Sequence, residues 1–402
     1  MSEKVYVAGV GMVPFKKPGQ SDPYDIMGAA AASAALADAG VEYSAIQQAY
    51  VGFVYGDSTS GQQSLYKIGA TSIPIFNVNN ACATGSSALF LARQAVSSGV
   101  CDVALALGFE QMNPGALGMT WNDRPSPMGR QLEMMPELQS ADDAPIAAQL
   151  FGGAGREYQE LHGTDARTFA MISEKARKHA SRNPLALFRD ILTVDEIMAS
   201  KHIYGPLTRY QCCPPTCGAA AAVIVSEKFA LQTGKKGLVE ILGQAMTTDP
   251  ETTFSKRSMI QLVGYDMAKE AAAQVYNSTG LGPEDVDVVE LHDCFSTNEL
   301  LTYEALGLTA EGTAERFIMD GENTYGGRVV TNPSGGLLSK GHPLGATGLA
   351  QCYELVNQLR GAADKRQVDG ARVALQHNLG LGGACVVTMY RAAASNRILP
   401  TQ

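Results

Sequence analysis

The stretch "SKGHPLGATGLAQCYELVNQLRG", residues 339–361, decides the fold class. Its first part is a glycine-rich turn, and its second part has the apolar spacing of a long helix. Residues 371–391 then predict a strand, a glycine turn and a last strand. Helices that alternate with buried strands are typical of an α/β protein with a parallel or mixed sheet.

The same plan occurs in the first half of the chain. Residues 77–99, "NVNNACATGSSALFLARQAVSSG", again predict a turn that leads into a helix. Residues 82–112 can be laid over residues 342–383, because each begins with a reactive residue type, continues through small residues and a helix, and ends in a strand with glycines. The sequence therefore predicts an internal duplication rather than a short-period repeat.

The duplication sets the predicted domains. They are an N-terminal half at 1–112, continued in 220–235, an inserted loop domain at 113–219, and a C-terminal half at 236–402. The insertion is richer in Met, Pro, Gln and charge than the two halves. A long insertion of this kind is typical of a lid or a substrate-binding subdomain.

Bulk composition excludes several classes of function. The chain has 402 residues, of which 45% are apolar and 18% charged, so it can build a large core. Its net charge of -9 disfavours nucleic acid as a partner. Its apolar runs are too short to predict a membrane span, and residues 1–30 do not read as a secretory signal. The eight cysteines are expected to be reduced thiols.

Reactive residue types concentrate at a few turns. Cys82 precedes a predicted helix, whose macrodipole is expected to lower the thiol pKa. His342 lies before the second glycine-rich helix start, where a histidine can act as a general base. His292 and Cys294 follow a buried strand in "VELHDCFSTNELL", residues 289–301. From these residues alone, a buried structural cysteine and a capping histidine are alternatives to a catalytic site.

Taken together, these segments resemble the thiolase family over roughly residues 4–391. "NNACATGSS" resembles the thiolase nucleophile loop and "GHPLGATG" its histidine motif. Within the family, "LHDCFSTNELLTYEALGL" and "RQVDGARVALQHNLGLGGA" are similar to the sterol carrier protein X group. The resemblance implies an α/β thiolase fold, in which two similar βαβαβαββ halves form a five-layered α-β-α-β-α core with an inserted loop domain.

The chain departs from the common thiolase pattern at two motifs. Most thiolases carry Asn-Glu-Ala-Phe where this sequence has His292, Asp293, Cys294 and Phe295. Most also carry a second catalytic cysteine in a Cys-x-Gly motif, which is missing here near "HNLGLGG". The resemblance to the sterol carrier protein X group implies that Cys294 takes over that cysteine's acid/base role.

The resemblance also implies an activity and roles for the site residues. It implies an acyltransferase, a 3-ketoacyl-CoA thiolase that forms an acyl-Cys82 intermediate, with CoA as cosubstrate and with no bound cofactor or metal. His342 would activate Cys82, His292 would contact the enolate oxygen, and Cys294 would act at C2. The backbone N–H groups of Cys82 and Gly382 would form an oxyanion hole.

Further expectations concern substrates, partners and location. The expected substrates are straight-chain, 2-methyl-branched or bile-acid-type 3-ketoacyl-CoA esters, and the products are a shortened acyl-CoA plus acetyl-CoA or propionyl-CoA. The family forms dimers or larger oligomers, acts in peroxisomal fatty acid β-oxidation, and is often fused to a C-terminal sterol carrier domain linked to lipid transport. Candidates for CoA contacts are basic residues of 172–184 and one serine: Lys175, Arg177, Lys178, Arg182 and Ser334.

Two other functions are weighed against this one. A biosynthetic condensing enzyme of the ketoacyl synthase type shares the fold and the nucleophilic cysteine, although it commonly lacks a second cysteine. A thiolase-like protein that binds lipid or CoA without catalysis fits the missing Cys-x-Gly cysteine. Thiolysis with free CoA and formation of an acyl-Cys82 adduct discriminate between the three.

Overall fold

The computed structural model describes residues 3–115, 118, 121–140 and 142–393. Its strands, in chain order, are β1 (Val5–Met12), β2 (Gln48–Gly52), β3 (Ile75–Val78), β4 (Val103–Glu110), β5 (His202–Tyr204), β6 (Leu207–Thr208), β7 (Gly218–Ser226), β8 (Val239–Thr247), β9 (Val288–Glu290), β10 (Val330–Thr331), β11 (Val373–Gly380) and β12 (Ala384–Ala392).

The helices that connect these strands differ widely in length. They are α1 (Tyr24–Ala39), α2 (Ser60–Tyr66), α3 (Thr84–Ser97), α4 (Gly129–Leu138), α5 (Ile146–His162), α6 (Ala166–Ala180), α7 (Val194–Met198), α8 (Glu227–Thr233), α9 (Thr252–Ser255), α10 (Met259–Leu262), α11 (Tyr265–Thr279), α12 (Ser296–Ala305), α13 (Ala314–Met319) and α14 (Thr347–Arg360).

Ten of the strands form one sheet that consists of two equivalent halves. One half has the order β3-β2-β4-β7-β1, and the other has the order β10-β9-β11-β12-β8. In both halves the first three strands are parallel and the last two are antiparallel to their neighbours. The halves meet where β1 pairs antiparallel with β8. The predicted duplication is therefore confirmed, with β3, α3 and β4 equivalent to β10, α14 and β11.

Five layers follow from how the long helices pack. α1 packs on β1 and β7 at one outer face, and α11 packs on β8 and β12 at the other. α3 and α14 pack against each other, and α14 touches strands of both halves, so these two helices form the central layer. Fully buried side chains such as Leu89, Leu349 and Leu355 fill this layer. The predicted α/β class and five-layered core are confirmed.

The segment between β4 and β7 carries α4 to α7 and the hairpin of β5 and β6. Its helices α5 and α6 pack on α12 of the C-terminal half, and their buried side chains belong to the same apolar cluster as α11 and α12. This segment therefore covers the C-terminal half. Within the residues that the structure describes, no helix is both long and apolar enough to cross a bilayer.

Candidate active site

Three reactive side chains meet where the two halves of the sheet bring their equivalent turns together. The turn after β3 carries Cys82, the turn after β10 carries His342, and the turn after β9 carries His292. The Cys82 thiol and one ring nitrogen of each histidine all lie within 4.8 Å of one another. The two imidazole rings stand edge to face, with centroids 5.0 Å apart. Cys82 thus shares one centre with two histidines that lie 210 and 260 positions later in the chain.

A tight turn presents Cys82 just before α3 begins. Ala81 has a φ of +48°, a left-handed conformation that is rare for residues other than glycine. The Thr84 hydroxyl fixes the turn, because it accepts from the Asn80 N–H at 2.8 Å and donates to the Ala81 carbonyl at 2.6 Å. Strain of this kind commonly occurs at functional sites and persists only where neighbouring contacts hold it.

The pKa of the Cys82 thiol differs from the sequence-based expectation. Enclosure of the thiol raises its pKa to about 12, and the negative charge of Glu110 acts in the same direction. The expected lowering by the α3 macrodipole is therefore outweighed, because removal of water from the thiol disfavours the thiolate. Cys82 is held as a neutral thiol in the free protein, so a base must take its proton before it can attack.

The His342 loop supplies a base of this kind. The His342 Nδ1 atom lies 2.7 Å from the Thr347 hydroxyl, which itself donates to the Pro343 carbonyl at 3.0 Å. Nδ1 must therefore donate its proton to Thr347, and the lone pair lies on Nε2. Nε2 is buried and makes no hydrogen bond within the described residues. Burial also lowers the pKa of His342 to about 3, which keeps the ring neutral.

Close backbone approach holds the His342 loop against the first half. A Cβ atom at Gly108 would lie 2.2 Å from the Gly345 carbonyl oxygen, so only glycine fits this contact. The buried Glu110 carboxylate accepts from the N–H groups of Gly345, at 3.0 Å, and Tyr55, at 2.9 Å. Glu110 thus ties the base-carrying loop to the end of β4.

His292 is held from two sides by β11. Its Nδ1 atom lies 3.0 Å from Asn378 Nδ2, and Nδ2 also lies 3.0 Å from the Cys82 carbonyl oxygen. The backbone N–H of His292 donates to His377 Nδ1 at 3.4 Å. Burial, followed by the nearby His342 and His377, places the pKa of His292 well below its usual value. His292 is therefore also a neutral imidazole.

Cys294 brings a second thiol to the same centre. Its carbonyl accepts from the Cys213 N–H at 2.9 Å, and Cys212 pairs antiparallel with Phe295. Burial raises the pKa of Cys294 well above the usual value, and the nearby thiols of Cys213 and Cys82 raise it further. A neutral thiol of this kind keeps its proton until a strong base, such as a carbanion, accepts it.

Comparison with known proteins decides the family. The model of the thiolase N-terminal domain matches residues 5–126, and the model described as thiolase C-terminal domain-like matches residues 250–390. The chain belongs to the thiolase family. It is similar to sterol carrier protein 2 of Rattus norvegicus, with 55% identity over 96% of this chain and 72% of that protein.

Two further comparisons extend the likeness. The benzoylsuccinyl-CoA thiolase subunit BbsB of Thauera aromatica is 35% identical over 96% of both chains. The solved structure of an Ltp2-ChsH2(DUF35) aldolase superposes with a TM-score of 0.82 over 98% of both chains, at 24% identity. That structure shares the thiolase fold with this chain, and at this identity the likeness concerns the fold alone.

Three of the five candidate CoA contacts of this thiolase are buried. Lys175 is 7% exposed and its ammonium group pairs with the buried carboxylate of Glu299. Arg177 is 6% exposed. Ser334 is fully buried and donates to a Glu290 carboxylate oxygen at 2.7 Å. These three side chains are buried within the fold and do not face solvent. The sequence-based prediction that they contact the phosphates of CoA is therefore wrong for Lys175, Arg177 and Ser334.

The other two candidates lie at the surface of the same helix region. Lys178 forms an exposed ion pair with Glu174 at 2.7 Å. The Arg182 guanidinium group lies over the Tyr325 ring, 4.5 Å from its centroid. Both cations are accessible, so their contact with CoA phosphates stays a prediction.

The turn between β11 and β12 contains Gly382, whose N–H group was predicted to line an oxyanion hole. Gly382 has a φ of +95°, and a Cβ atom there would find its nearest neighbour in Met128 at 3.8 Å. Gly380 makes the closest approach to the nucleophile loop, because a Cβ atom there would lie 2.4 Å from the Asn80 carbonyl oxygen. The participation of the Gly382 N–H in the hole stays a prediction.

The same three reactive side chains could hold a metal ion. Among the described residues, the potential metal-ligand atoms of Cys82, His292 and His342 lie within 4.8 Å of one another. Sulfur and imidazole nitrogen are the ligands that Zn²⁺ prefers.

Asp293 is a site residue whose role the sequence did not reveal. Its buried carboxylate accepts from the N–H groups of Leu337, at 2.7 Å, and Leu338, at 3.3 Å. A Cβ atom at Gly336 would lie 2.2 Å from the same carboxylate. Asp293 therefore anchors the π-helical turn Gly336–Lys340, which leads directly into His342.

Replacing Asp293 by alanine is expected to lower the free energy of unfolding by about 2–4 kcal/mol, because two buried N–H groups lose their acceptor. Urea unfolding measures the loss. Asp287→Ala is the matched control, since Asp287 also accepts from two N–H groups, of Arg372 and Val373, but lies near solvent. Water can replace that acceptor, so equal losses in the two variants would contradict the anchoring role.

Proposed function

We propose that this chain is a 3-ketoacyl-CoA thiolase, an acyltransferase that cleaves 3-ketoacyl-CoA with free CoA. One observation carries the proposal: Cys82, His292 and His342 converge on one centre, which offers a nucleophile, a hydrogen-bond donor and a base, and the Cys294 thiol lies near Cys82 as a proton donor. Membership of the thiolase family supports the same reaction. The reaction needs no metal and no prosthetic group.

The first half-reaction forms an acyl-enzyme. His342 Nε2 takes the proton of the Cys82 thiol, and the sulfur forms a bond to C3 of the substrate. The C2–C3 bond then breaks, and its electron pair becomes the enolate of the departing CoA thioester. Cys294 gives its proton to C2, so that acetyl-CoA or, from a 2-methyl substrate, propionyl-CoA leaves.

The second half-reaction returns every group to its starting state. The Cys294 thiolate takes the thiol proton of free CoA, and the CoA sulfur attacks the acyl carbonyl on Cys82. The bond from that carbonyl to the Cys82 sulfur breaks, and protonated His342 returns its proton to the leaving thiolate. The products are a shortened acyl-CoA and the unmodified protein, which predicts ping-pong kinetics.

His292 contributes a hydrogen bond rather than a proton transfer. One of its ring nitrogens belongs to the cluster with Cys82 and His342, and the thioester oxygen of the enolate is expected to lie there. A donor aimed at an oxygen that gains negative charge only in the transition state typically contributes about 10²–10³-fold in rate.

Thiolysis by free CoA tests the proposal. Loss of the keto-thioester absorbance is followed with straight-chain, 2-methyl-branched and bile-acid-type 3-ketoacyl-CoA esters. Turnover that depends on free CoA supports a thiolase, and the panel ranks the three substrate classes. Condensation of acyl-CoA without thiolysis would indicate a biosynthetic enzyme. Absence of both turnover and an acyl adduct on Cys82 would indicate a binding protein.

A dimer is part of the proposal, and strand β3 is the surface that supports it. β3 is an outer strand of the sheet, and its Phe76 side chain is 47% exposed. Tyr66, on the preceding helix α2, is 60% exposed. An open strand edge with apolar side chains tends to pair with another chain, so a second copy related by twofold symmetry is expected to cover it.

Phe76→Lys is expected to shift the protein from dimer to monomer, because lysine on an edge strand opposes pairing. Sedimentation velocity measures the mass in solution. Leu161→Lys on α5 is the control, since Leu161 is 64% exposed and lies on a different element. A wild-type monomer, or a Phe76→Lys variant that stays dimeric, would contradict this interface.

A peroxisomal location and an attached sterol carrier domain stay predictions from the resemblance.

A further inference from the structure

Asn378 is buried at the end of β11 and contacts both the nucleophile and a catalytic histidine. Its Nδ2 atom lies 3.0 Å from the Cys82 carbonyl oxygen and 3.0 Å from His292 Nδ1. Its Oδ1 atom accepts from the Ser86 hydroxyl at 2.8 Å. The mechanism described above gives no task to this side chain, although it joins two of the reacting groups.

The orientation of the Asn378 amide is fixed by its neighbours. The Gly348 carbonyl can only accept, so the Gln376 atom at 2.7 Å from it is the amide nitrogen. That nitrogen also donates to the Ser86 hydroxyl at 2.8 Å, so the hydroxyl proton is available to Asn378 Oδ1, 2.8 Å away. The Cys82 carbonyl independently requires the nitrogen end of Asn378 on its side. The carbonyl contact therefore fixes the orientation, and the Ser86 contact is compatible with it.

This orientation decides where His292 carries its proton. A neutral imidazole has one N–H and one nitrogen with a lone pair. Because Asn378 Nδ2 can only donate, His292 Nδ1 must accept, and the proton lies on Nε2. His342 has the opposite arrangement, since its Nδ1 donates to Thr347. The two rings, 5.0 Å apart, thus offer different functions to one centre.

We propose that Asn378 is the positioning residue that fixes His292 as a hydrogen-bond donor and so leaves His342 as the base for Cys82. The inference rests on the proposed thiolase function for its kinetic consequence, but the proton position itself is a property of the free protein. The strong lowering of the His292 pKa by burial agrees with a neutral ring at this position.

Asn378→Asp reverses the hydrogen bond with little change of shape. A carboxylate accepts where the amide donated, so His292 Nδ1 is expected to gain a proton. The ring then turns its lone pair toward the centre, or becomes a cation paired with the new carboxylate. We expect kcat for thiolysis to fall about 10²–10³-fold with KM little changed, because the lost donor acts on charge that develops in the transition state.

A spectroscopic readout separates this role from general damage to the fold. Two-bond ¹H–¹⁵N spectra of ¹⁵N-histidine-labelled protein show which ring nitrogen carries the proton, and the chain has only six histidines. The wild type is expected to show His292 protonated at Nε2, and Asn378→Asp at Nδ1 or at both nitrogens. The variant should also gain an acid limb in its pH–rate profile, since a carboxylate partner raises the pKa of His292.

A second buried asparagine provides the control for Asn378→Asp. Asn323→Asp is the matched control, because Asn323 is a buried asparagine that donates to the Tyr303 hydroxyl. If Asn378→Asp fails to fold, Asn378→Ala is expected to give a mixture of His292 tautomers. Wild-type His292 protonated at Nδ1, or an unchanged tautomer and rate in the variants, overturns the proposal. A wild type without thiolysis but with the expected tautomer overturns the proposed function and leaves the assignment of Asn378 intact.

Discussion

Cys82→Ala is expected to lower kcat for thiolysis by about 10⁶-fold, the loss that follows removal of a nucleophile that forms a covalent intermediate. In the proposed mechanism His292 donates a hydrogen bond and Cys294 donates a proton to C2, so neither replaces Cys82 as the nucleophile that His342 activates. The expected loss is larger than for any other residue of the centre, because both half-reactions pass through the Cys82 sulfur.

Mass spectrometry distinguishes this loss from misfolding. Wild type incubated with 3-ketoacyl-CoA in the absence of free CoA should carry an acyl group on Cys82, and Cys82→Ala should carry none. Cys101→Ala is the control, because Cys101 is a buried cysteine two residues before β4 and does not belong to the cluster of Cys82, His292 and His342. An acyl group on another residue of Cys82→Ala, or substantial remaining thiolysis, would show that Cys82 is not the nucleophile.

The sequence predicted the fold because its strongest patterns are local. The turns before residues 84 and 347, with the helices that follow them, are the equivalent pieces of the duplication, and each can be recognised within about 20 neighbouring positions. Cys82 and His342 both lie in the turn that precedes the helix of their piece, Cys82 before α3 and His342 before α14. Their meeting in the centre follows from the equivalence of the halves, which the strand order confirms.

The residues that the sequence did not reveal act through contacts between distant segments. Asn378 bonds the Cys82 carbonyl across 296 positions, and Asp293 binds a turn 44 positions away. A polar residue within the apolar run of β11 was the available signal for Asn378. Only the pairing of strands shows that its amide faces the nucleophile turn.

The basic helix α6 shows why a charge pattern can mislead. Lys175 was expected to face solvent and CoA, because runs of basic residues usually do. The partner that takes it inside, Glu299, lies on α12, more than 120 positions later. Likewise, the expected lowering of the Cys82 pKa depended on α3 alone, whereas burial of the thiol and the charge of Glu110, at the end of β4, raise it.

Cys294→Ala is expected to lower kcat for thiolysis about 10²–10⁴-fold, the usual contribution of a general acid or base. The C2 carbanion needs a proton source at that carbon, and the Cys294 thiol keeps its proton because burial raises its pKa. The same variant should still accept an acyl group on Cys82 from a saturated acyl-CoA. That transfer breaks no carbon–carbon bond and needs no proton at C2.

Hydrogen exchange at C2 isolates the role of Cys294 from the rest of the cycle. Wild type in D₂O should exchange the C2 protons of acetyl-CoA, and Cys294→Ala should exchange them about 10²–10⁴-fold more slowly. Cys213→Ala is the control, because Cys213 lies opposite Cys294 on the paired segment and its thiol is also near Cys82. Slow exchange in Cys213→Ala but not in Cys294→Ala would move the proton transfer to the neighbouring thiol. Normal exchange in both variants would assign it to a histidine, and His342 is then the group with a free lone pair in the centre.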